Sequence, residues 1–382
     1  MSRSAAQVSI GLTDAEVAAV RRPLAEASLL PSKVYVDRAI FELERQRIFA
    51  RSWIPVCHVS QLAAPGRYVA RHICGESVVA VRDRDGAIRV LSNVCRHRNA
   101  VLTSGSGTCA ANRIVCPYHG WTYTLDGRLL GAPFMEQAEG FEKRETRLPE
   151  FRSEVWQGFV FVNFDPTSSS LAPQVKKLAE RLDPYGFASK EAVEIRRRTM
   201  PWNWKISLEN FSEAYHQPWI HPMTADHSFP AQLAEYQDVD GPYGLFWLWE
   251  KDKGLVPTFF PAPAGMSDHH LRTVTVYNVY PVMHCLTDPT LPLMLDFNII
   301  SEIEHELVWT VLLPAGTLAR PDSDEQVAKF KAFIEPILLE DVDICTRVGQ
   351  GAHSVHTAQG RLSHMEKTVH QFHNWWLDQM LA

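Results

Sequence analysis

The sequence predicts an α+β protein with a small all-β domain and a larger domain in which helices cover an antiparallel sheet. Residues 53–165 form short apolar runs that are broken by Gly and Asp-Gly, which is typical of short strands and hairpins. Beyond residue 170 the pattern changes to helical stretches, alternating runs and a long amphipathic segment. The chain has 382 residues, of which 46% are hydrophobic, so it is long enough for two cores.

The pattern divides the chain into three segments. Residues 1–50 are predicted to be mainly helical, because Thr13 and Asp37 stand as N-caps before two helical runs, and we expect these helices to pack on the larger domain. The small β domain is predicted at residues 51–166 and the larger domain at residues 167–382. The boundary is placed at residues 165–170, DPTSSS, the clearest break in composition.

Turn signals and periodicity predict individual elements within the two domains. In the small domain, Asp-Gly turns at 85–86 and 126–127 close the strand-like runs 77–82 and 122–125. The larger domain is predicted to contain helical stretches, then strands at 272–280, 294–303 and 307–313. A long helix is predicted at about 323–348, with Ser323 or Asp324 as its cap and a stop at residues 349–351, Gly-Gln-Gly.

Composition argues against several classes of partner and location. A net charge of −6 without a basic stripe argues against nucleic acid as a partner. No run of eighteen apolar residues is present, so we expect no membrane span, and the first residues lack the apolar segment of a secretory signal. Seven cysteines, an odd number, fit a reducing compartment better than a disulfide framework. The sequence therefore predicts a cytoplasmic protein.

Two short Cys/His motifs are the most informative feature of the chain. Cys95-x-His97 and Cys116-x2-His119 each supply one thiol and one imidazole, and eighteen residues separate them. This donor set suits a Rieske [2Fe–2S] cluster, in which two cysteines bind one iron and two histidines the other. A structural zinc site is the alternative, although zinc motifs usually group like ligands together. The motifs therefore favour a protein that transfers single electrons.

A second motif contains candidate ligands for a mononuclear metal. Glu213 and His216 are three residues apart and are expected on one face of a helix, and His221 follows after Pro218. Two histidines and a carboxylate form the site of non-haem Fe(II) oxygenases. A histidine pair alone is more often structural, but such an iron needs the electron donor that the first motif predicts. A pure electron carrier and a zinc-stabilised binding module are the competing classes, and the iron content separates them.

Together these motifs resemble the α subunit, the terminal oxygenase, of Rieske non-haem iron oxygenases. The resemblance rests on the two Cys/His motifs, on the run CPYHGW and on residues 210–221, and it covers residues 35–376. It implies a Rieske domain at 51–166 and a helix-grip (START-like) catalytic domain at 167–382. It also implies a terminal oxygenase that uses O2 and electrons from NAD(P)H, relayed by a separate reductase, to oxidise a small organic substrate.

The resemblance also implies roles for individual residues. The [2Fe–2S] cluster would be held by Cys95, His97, Cys116 and His119, and the mononuclear Fe(II) by His216, His221 and an aspartate of the late helix. Asp341 is favoured over Asp343 as that aspartate. Asn99 stands where the family usually has Gly, and because Asn tolerates a left-handed backbone we expect the cluster loop to keep its form.

Glu213 and Asn210 are the candidate catalytic residues. In the family, an acidic residue at the position of Glu213 bridges an iron-binding histidine to a cluster histidine of a neighbouring subunit. This implies an assembly of at least three subunits, and we expect a homotrimer. Most members have Asp here. Glu213, and its spacing of three residues from Asn210, resemble the branch that oxidises quaternary ammonium compounds.

The sequence leaves the substrate open. The resemblance to choline, glycine betaine, carnitine and stachydrine monooxygenases suggests a quaternary ammonium compound, which aromatic side chains bind by cation–π contacts. Residues 246–249, Phe259, Phe260 and Tyr277 are candidates for such walls. The alternative is an aromatic substrate, either dihydroxylated on the ring or O- or N-dealkylated, and the same residues would suit it.

Overall fold

The computed structural model describes residues 10–382, and the predicted α+β organisation is confirmed. In the described residues, the strands form two seven-stranded antiparallel sheets and one three-stranded sheet. The first nine residues of the predicted N-terminal segment lie outside the described residues. In the remainder, no helix is both long enough and apolar enough to cross a lipid bilayer.

The helices are mostly short, apart from two near the C-terminus. In chain order they are α1 (Asp14–Arg21), α2 (Arg38–Glu44), α3 (Leu171–Gln174), α4 (Lys176–Leu182), α5 (Trp204–Asn210), α6 (Gln217–Ile220), α7 (Ala225–Ser228), α8 (Asp268–Arg272), α9 (Ser323–Gly351) and α10 (Lys367–Leu381). A π-helical turn, Arg45–Phe49, continues α2. The predicted N-caps of the first two helices are present: Thr13 forms a capping box with Glu16, and the Asp37 carboxylate accepts from two backbone N–H groups.

The N-terminal part of the chain forms the first seven-stranded sheet and a small three-stranded sheet. The large sheet has the order β1-β10-β9-β4-β3-β2-β5, and β6-β7-β8 form the small one. The strands are β1 (Ile54–His58), β2 (Arg67–Ile73), β3 (Glu76–Arg82), β4 (Ile88–Ser92), β5 (Ser106–Thr108), β6 (Arg113–Val115), β7 (Thr122–Thr124), β8 (Leu129–Gly131), β9 (Glu150–Trp156) and β10 (Phe159–Asn163). The last strand ends at Asn163 and α3 begins at Leu171, on either side of the predicted boundary.

The second seven-stranded sheet has the order β11-β17-β16-β15-β14-β13-β12 and every neighbouring pair is antiparallel. Its strands are β11 (Glu191–Met200), β12 (Ala234–Tyr236), β13 (Tyr243–Trp249), β14 (Thr273–Val279), β15 (Met283–Thr287), β16 (Pro292–Ser301) and β17 (Glu304–Leu313). The three strands predicted from sequence correspond to β14, β16 and β17. The pattern missed β11, in which the charges of Arg196 and Arg197 are balanced by Glu335, Glu194 and Glu306.

The two faces of the second sheet pack into different cores. Leu307, Trp309 and Val311 of β17 point to the side that contains Ile334 and Leu338 of α9. Leu312, which follows Val311 in the strand, belongs to a second core on the opposite side, together with residues of α4. This alternation follows from the two-residue period of a strand. The second sheet therefore lies between α9 on one side and α4 on the other.

Helix α9 ends at the predicted stop but is capped differently. Its N-cap is Asp322, not Ser323 or Asp324, and the Asp322 side chain makes no capping hydrogen bond. The helix continues to Gly351, three residues past residue 348 and within the predicted stop at residues 349–351. At Gly349 a Cβ atom would lie 2.8 Å from Cβ of Trp202, so this glycine permits a close approach between α9 and the segment that precedes α5.

A buried ionic cluster joins the N-terminal segment to the second domain. The Lys205 ammonium of α5 lies 2.6 Å from a Glu44 carboxylate oxygen, and both side chains are fully buried. Glu44 also accepts hydrogen bonds from the indoles of Trp204 and Trp376. Arg21 of α1 pairs with Asp378 of α10, so the N-terminal helices contact both α5 and α10. Side chains of the N-terminal helices therefore contact two helices of the second domain.

Candidate metal centres and active site

The two Cys/His motifs fold into loops with the same backbone hydrogen bonds. In the first loop the Asn99 N–H donates to the Cys95 carbonyl at 3.1 Å, and in the second the Gly120 N–H donates to the Cys116 carbonyl at 3.1 Å. Each cysteine N–H donates to the carbonyl five residues ahead, that of Ala100 or Trp121. Asn99 has φ 57° and Gly120 has φ 68°, so Asn99 adopts the left-handed conformation expected of it.

The loops bury the thiols and expose the imidazoles. Cys95 and Cys116 are 1% and 3% exposed, whereas His97 and His119 are exposed. The two imidazole rings lie 4.8 Å apart between centroids, and His97 stacks on Trp121. This arrangement suits a cluster with a buried sulfur-bound iron and an outer imidazole-bound iron.

Tyr123 contacts the cysteine of the first loop. Its hydroxyl lies 3.3 Å from Cys95 Sγ and accepts a hydrogen bond from the Arg96 N–H at 3.1 Å. Because the Tyr123 oxygen accepts from the Arg96 N–H, the Tyr123 hydroxyl can donate its proton to the Cys95 sulfur. Burial and the neighbouring Cys95 raise the pKa of Tyr123, so the donor keeps its proton. Hydrogen bonds to ligating sulfurs are one of the factors that set a cluster's reduction potential.

The second candidate site begins where α5 ends. The sequence predicted Glu213 and His216 on one helical face, but α5 ends at Asn210, and residues 211–216 form turns before α6. The two side chains still meet, because Glu213 Oε1 lies 2.6 Å from His216 Nδ1 and Glu213 Oε2 accepts from the His216 N–H at 3.1 Å. A local turn, not a helical repeat, brings them together.

Three of the predicted ligands converge on one point. His221 Nε2 lies 3.0 Å and His216 Nε2 lies 3.5 Å from Oδ1 of Asp341. One ligand atom from each residue lies within 4.8 Å of the others. His221 follows α6, and Asp341 comes from α9. The structure thus brings together the two histidines and the aspartate that the sequence analysis favoured.

The Nδ1 atom of each imidazole, which does not face Asp341, contacts a carboxylate. His216 Nδ1 contacts Glu213, and His221 Nδ1 lies 2.6 Å from Glu340 Oε2, which also accepts from the Thr224 hydroxyl. This pairing directs both Nε2 atoms to a shared position and fixes the tautomers. Sequence reasoning did not assign this role to Glu340. Its place beside Asp341 was visible, but the contact with a residue 119 positions earlier was not.

Asp343, the other candidate ligand, is directed elsewhere. Its side chain is 75% exposed and pairs with Arg347 one turn further along α9. Asp341, by contrast, is 6% exposed. Since residues two positions apart point to different sides of a helix, only one of the two can face the histidines.

The electrostatics of this site favour a cation. Burial lowers the pKa of both imidazoles, but the carboxylates of Glu213, Asp341 and Glu340 outweigh burial and raise the pKa of His216 and His221 above the usual value. Two imidazole nitrogens and a carboxylate oxygen are the donor set of a 2-His-1-carboxylate Fe(II) site. The residues present therefore fit a mononuclear iron.

A cavity of about 580 Å³ opens beside these residues. It lies between strands β13–β15 and helix α9, and Glu213, His216, His221 and Asp341 form part of its wall, as does Asn210. The amide nitrogen of Asn210 is buried and has no hydrogen-bond partner among the described residues. A side-chain donor is thus available next to the candidate ligands.

Phenylalanines supply the aromatic part of the wall. They are Phe211, Phe229, Phe246, Phe259, Phe330 and Phe333. Of the aromatic residues considered from sequence, Phe246 and Phe259 line the cavity. Trp247 and Tyr277 belong to the core on the opposite side of the sheet, because they alternate with Phe246 and Val276 along their strands.

Comparison with known proteins assigns the chain to a family. Residues 52–151 match the Rieske [2Fe–2S] domain, and residues 184–382 match the catalytic domain of the ring-hydroxylating α subunit. The carnitine monooxygenase oxygenase subunit of Escherichia coli strain K12 is 41% identical over 298 residues, which cover 69% of this chain and 77% of that protein. The chain therefore belongs to the Rieske non-haem iron oxygenases, as a terminal oxygenase subunit.

Two further proteins illustrate the breadth of the similarity. The biphenyl 2,3-dioxygenase α subunit of Rhodococcus jostii strain RHA1 is 34% identical over 193 residues, 49% of this chain and 42% of that protein. The crystal structure of the quaternary ammonium Rieske monooxygenase CntA in complex with L-carnitine superposes with a TM-score of 0.77 at 26% identity. The superposition covers 93% of this chain and 96% of the CntA chain.

Membership in this family defines the cofactors and the class of reaction. The enzyme carries a Rieske [2Fe–2S] cluster and one mononuclear iron. A separate reductase supplies electrons, and O2 and a small organic molecule are the substrates. The oxygenase assignment made from the two motifs is confirmed, and the electron-carrier and zinc-module alternatives are wrong.

Proposed function

We propose that this oxygenase hydroxylates or oxidatively demethylates a quaternary ammonium compound. The observation that carries the proposal is the position of the two converging Nε2 atoms and Asp341 in the wall of a phenylalanine-lined cavity. In this proposal His216, His221 and Asp341 hold the iron, and Cys95, His97, Cys116 and His119 hold the cluster. The cluster supplies single electrons and the iron activates dioxygen.

The composition of the cavity wall supports a cationic substrate. Within the described part of the chain, this wall contains no Lys or Arg, whereas Asp288 contributes a carboxylate in addition to those at the iron site. Phenylalanine faces attract an ammonium group by cation–π interaction, and a desolvated contact of this kind is worth about 2 kcal/mol. A carboxylate group inside the cavity would find no Lys or Arg partner among these wall residues. We therefore propose that the trimethylammonium end of the substrate lies inside the cavity.

The similarity to known proteins also supports a quaternary ammonium substrate. The carnitine monooxygenase subunit is similar over a larger share of the chain than the biphenyl dioxygenase subunit. An aromatic substrate remains the second candidate, because phenylalanine walls also bind neutral rings. The lack of a Lys or Arg among the described wall residues argues against a carboxylate inside the cavity, whether it belongs to an aromatic acid or to a betaine, and it does not argue against a neutral aromatic ring.

We further propose that the enzyme works as a cytoplasmic homotrimer in which Glu213 links two subunits. Glu213 already holds His216, and Trp219 and Met223, which follow it in the chain, are 81% and 80% exposed. On the cluster side, Tyr118 is half exposed beside His119. Exposed apolar side chains at both centres suit an interface in which one copy presents its iron site to the cluster of the next. Sedimentation analysis tests the assembly directly.

A substrate panel tests the proposed function. Oxygen consumption and product formation are measured with a heterologous reductase and NADH or NADPH, using choline, glycine betaine and L-carnitine in one group and biphenyl, benzoate and vanillate in the other. We expect coupled oxygen consumption, with one product per O2, only in the ammonium group. Coupled turnover of an aromatic compound and none with any ammonium compound would overturn the proposal.

A further inference from the structure

We propose that His284 is a fixed hydrogen-bond acceptor in the substrate cavity and that it selects substrates that carry a hydroxyl or N–H group. This inference rests on the proposed function and specifies its substrate class. His284 lies on β15, is 1% exposed and forms part of the cavity wall. The Phe211 ring stacks on it at 5.1 Å between centroids and holds its plane.

A chain of buried hydrogen bonds gives this imidazole a defined tautomer. It starts at the Leu208 carbonyl oxygen of α5, which can only accept, so the Ser212 hydroxyl donates to it. The Ser212 oxygen accepts from Asn278 Nδ2 at 2.9 Å. Asn278 Oδ1 then faces His284 Nδ1 at 2.7 Å. Because an amide oxygen only accepts, the hydrogen of the imidazole must be on Nδ1.

The opposite orientation of Asn278 is unfavourable. It would place the amide oxygen against the Ser212 oxygen, whose single proton is already donated to Leu208, and two acceptors would face each other. Asn278 and Ser212 are fully buried, so water cannot relieve that conflict. Burial also lowers the pKa of His284 to about 3, which keeps the ring neutral. His284 Nε2 therefore carries a lone pair.

No side chain among the described residues uses this lone pair, since the only hydrogen bond of the imidazole is the one at Nδ1. The cavity is the remaining space that it can face. The same wall contains the unpartnered Asn210 amide donor. A hydroxyl group can donate to His284 and accept from a donor such as Asn210, whereas a hydrocarbon would leave both polar groups unpaired at a cost.

Matched pairs of ligands test the inference on the unmodified enzyme. Ethyltrimethylammonium differs from choline only in lacking the hydroxyl group, and γ-butyrobetaine differs from L-carnitine in the same way. Affinities are measured by anaerobic titration calorimetry of the iron-loaded oxygenase. We expect the hydroxylated member of a pair to bind about five- to tenfold more tightly, the range for one hydrogen bond. Equal affinities within both pairs would overturn the inference.

Variants assign the effect to the side chain. His284→Leu should reduce the ratio of affinities within each pair to about one and leave ethyltrimethylammonium binding within about twofold. His284→Gln, which retains a side-chain acceptor, should recover part of the ratio. The cluster spectrum and three irons per chain serve as controls for folding. A wild-type ratio in a correctly loaded His284→Leu enzyme would contradict the inference.

The outcome is separable from that of the proposed function. If no ammonium compound binds, the quaternary ammonium proposal fails, and benzyl alcohol and toluene then serve as the matched pair. Preference for benzyl alcohol that is lost in His284→Leu would support the acceptor role by itself. Equal binding of these two molecules would overturn it.

Discussion

His221 and Glu340 meet across the catalytic domain, with His221 Nδ1 2.6 Å from Glu340 Oε2, while the other nitrogen of the same ring lies 3.0 Å from Asp341. Two consecutive residues of α9 therefore hold both nitrogens of one imidazole. The first orients the ring, and the second shares the proposed metal position with it. The geometry of this site depends on the rotation of α9 about its axis.

We expect Glu340→Gln to weaken the binding of mononuclear iron about 10- to 100-fold, because outer-shell partners of ligating histidines have effects of this size. The amide can still accept from Thr224 but no longer stabilises the Nδ1–H of His221 with a charge. Iron per chain after dialysis against a graded chelator measures the affinity. Unchanged iron retention would show that Glu340 does not orient His221.

Asp341→Asn should remove the mononuclear iron and leave the cluster spectrum unchanged, since the carboxylate is buried between the two imidazoles. Asp343→Asn is the matched control on the same helix, because Asp343 is exposed and pairs only with Arg347. We expect two irons per chain in the first variant and three in the second. The reverse result would identify Asp343 as the ligand.

Glu213→Gln should keep both metal centres loaded but strongly reduce coupled turnover. The carboxylate contacts Nδ1 of His216, and in the proposed trimer it provides the connection to a cluster histidine. Stopped-flow oxidation of the reduced cluster by the iron site with O2 and substrate measures this step. Normal cluster oxidation rates would contradict the bridging role.

Glu44→Gln should reduce the free energy of unfolding by about 3–5 kcal/mol, because it leaves the fully buried Lys205 ammonium without its charged partner. The burial of Lys205 lowers its pKa, which shows the cost of keeping the charge there. Glu325→Gln, which breaks the exposed pair with Lys329, is the control and should change stability by less than about 1 kcal/mol. Urea denaturation followed by tryptophan fluorescence distinguishes the two. Equal losses in the free energy of unfolding would show that the buried pair contributes no more to stability than the exposed pair.

The fold should lose stability as the pH falls below about 6.5. Burial lowers the pKa of His305 to about 4, so the unfolded chain takes up a proton between pH 6.5 and 4 while the folded chain does not. The free energy of unfolding therefore decreases across this range. His305→Gln removes the titrating group, and we expect a flatter pH dependence in urea melts. An identical pH dependence in the variant would exclude this histidine as a cause.

The sequence predicted what depends on local spacing and residue chemistry. The Cys/His motifs and the paired histidines could be recognised because each donor type and interval restricts the metal chemistry, whereas Asp341 was chosen from the resemblance to the family. The left-handed Asn99 could be anticipated because few residues tolerate that conformation. These features need no knowledge of which elements pack together.

Contacts between distant residues could not be predicted in this way. The Glu340–His221 pair and the Leu208–Ser212–Asn278–His284 chain join segments that meet only after the sheet and α9 are in place. Strand β11 escaped recognition because Glu194, Arg196 and Arg197 interrupt its apolar alternation, and their charges find partners only in the folded protein. The helical face expected for Glu213 and His216 was wrong because α5 ends at Asn210, although a turn gave the same contact.

The burial of Cys95 and Cys116 beneath exposed His97 and His119 has a consequence for kinetics. A reductase, and in the proposed trimer a neighbouring subunit, would reach the cluster most closely through its imidazole side, where Arg98 covers the Tyr118 ring and donates to its hydroxyl. Changes to the surface around these two residues should therefore alter the rates at which electrons enter and leave. The metal content, which the buried thiols and the loop backbone maintain, should be insensitive to them.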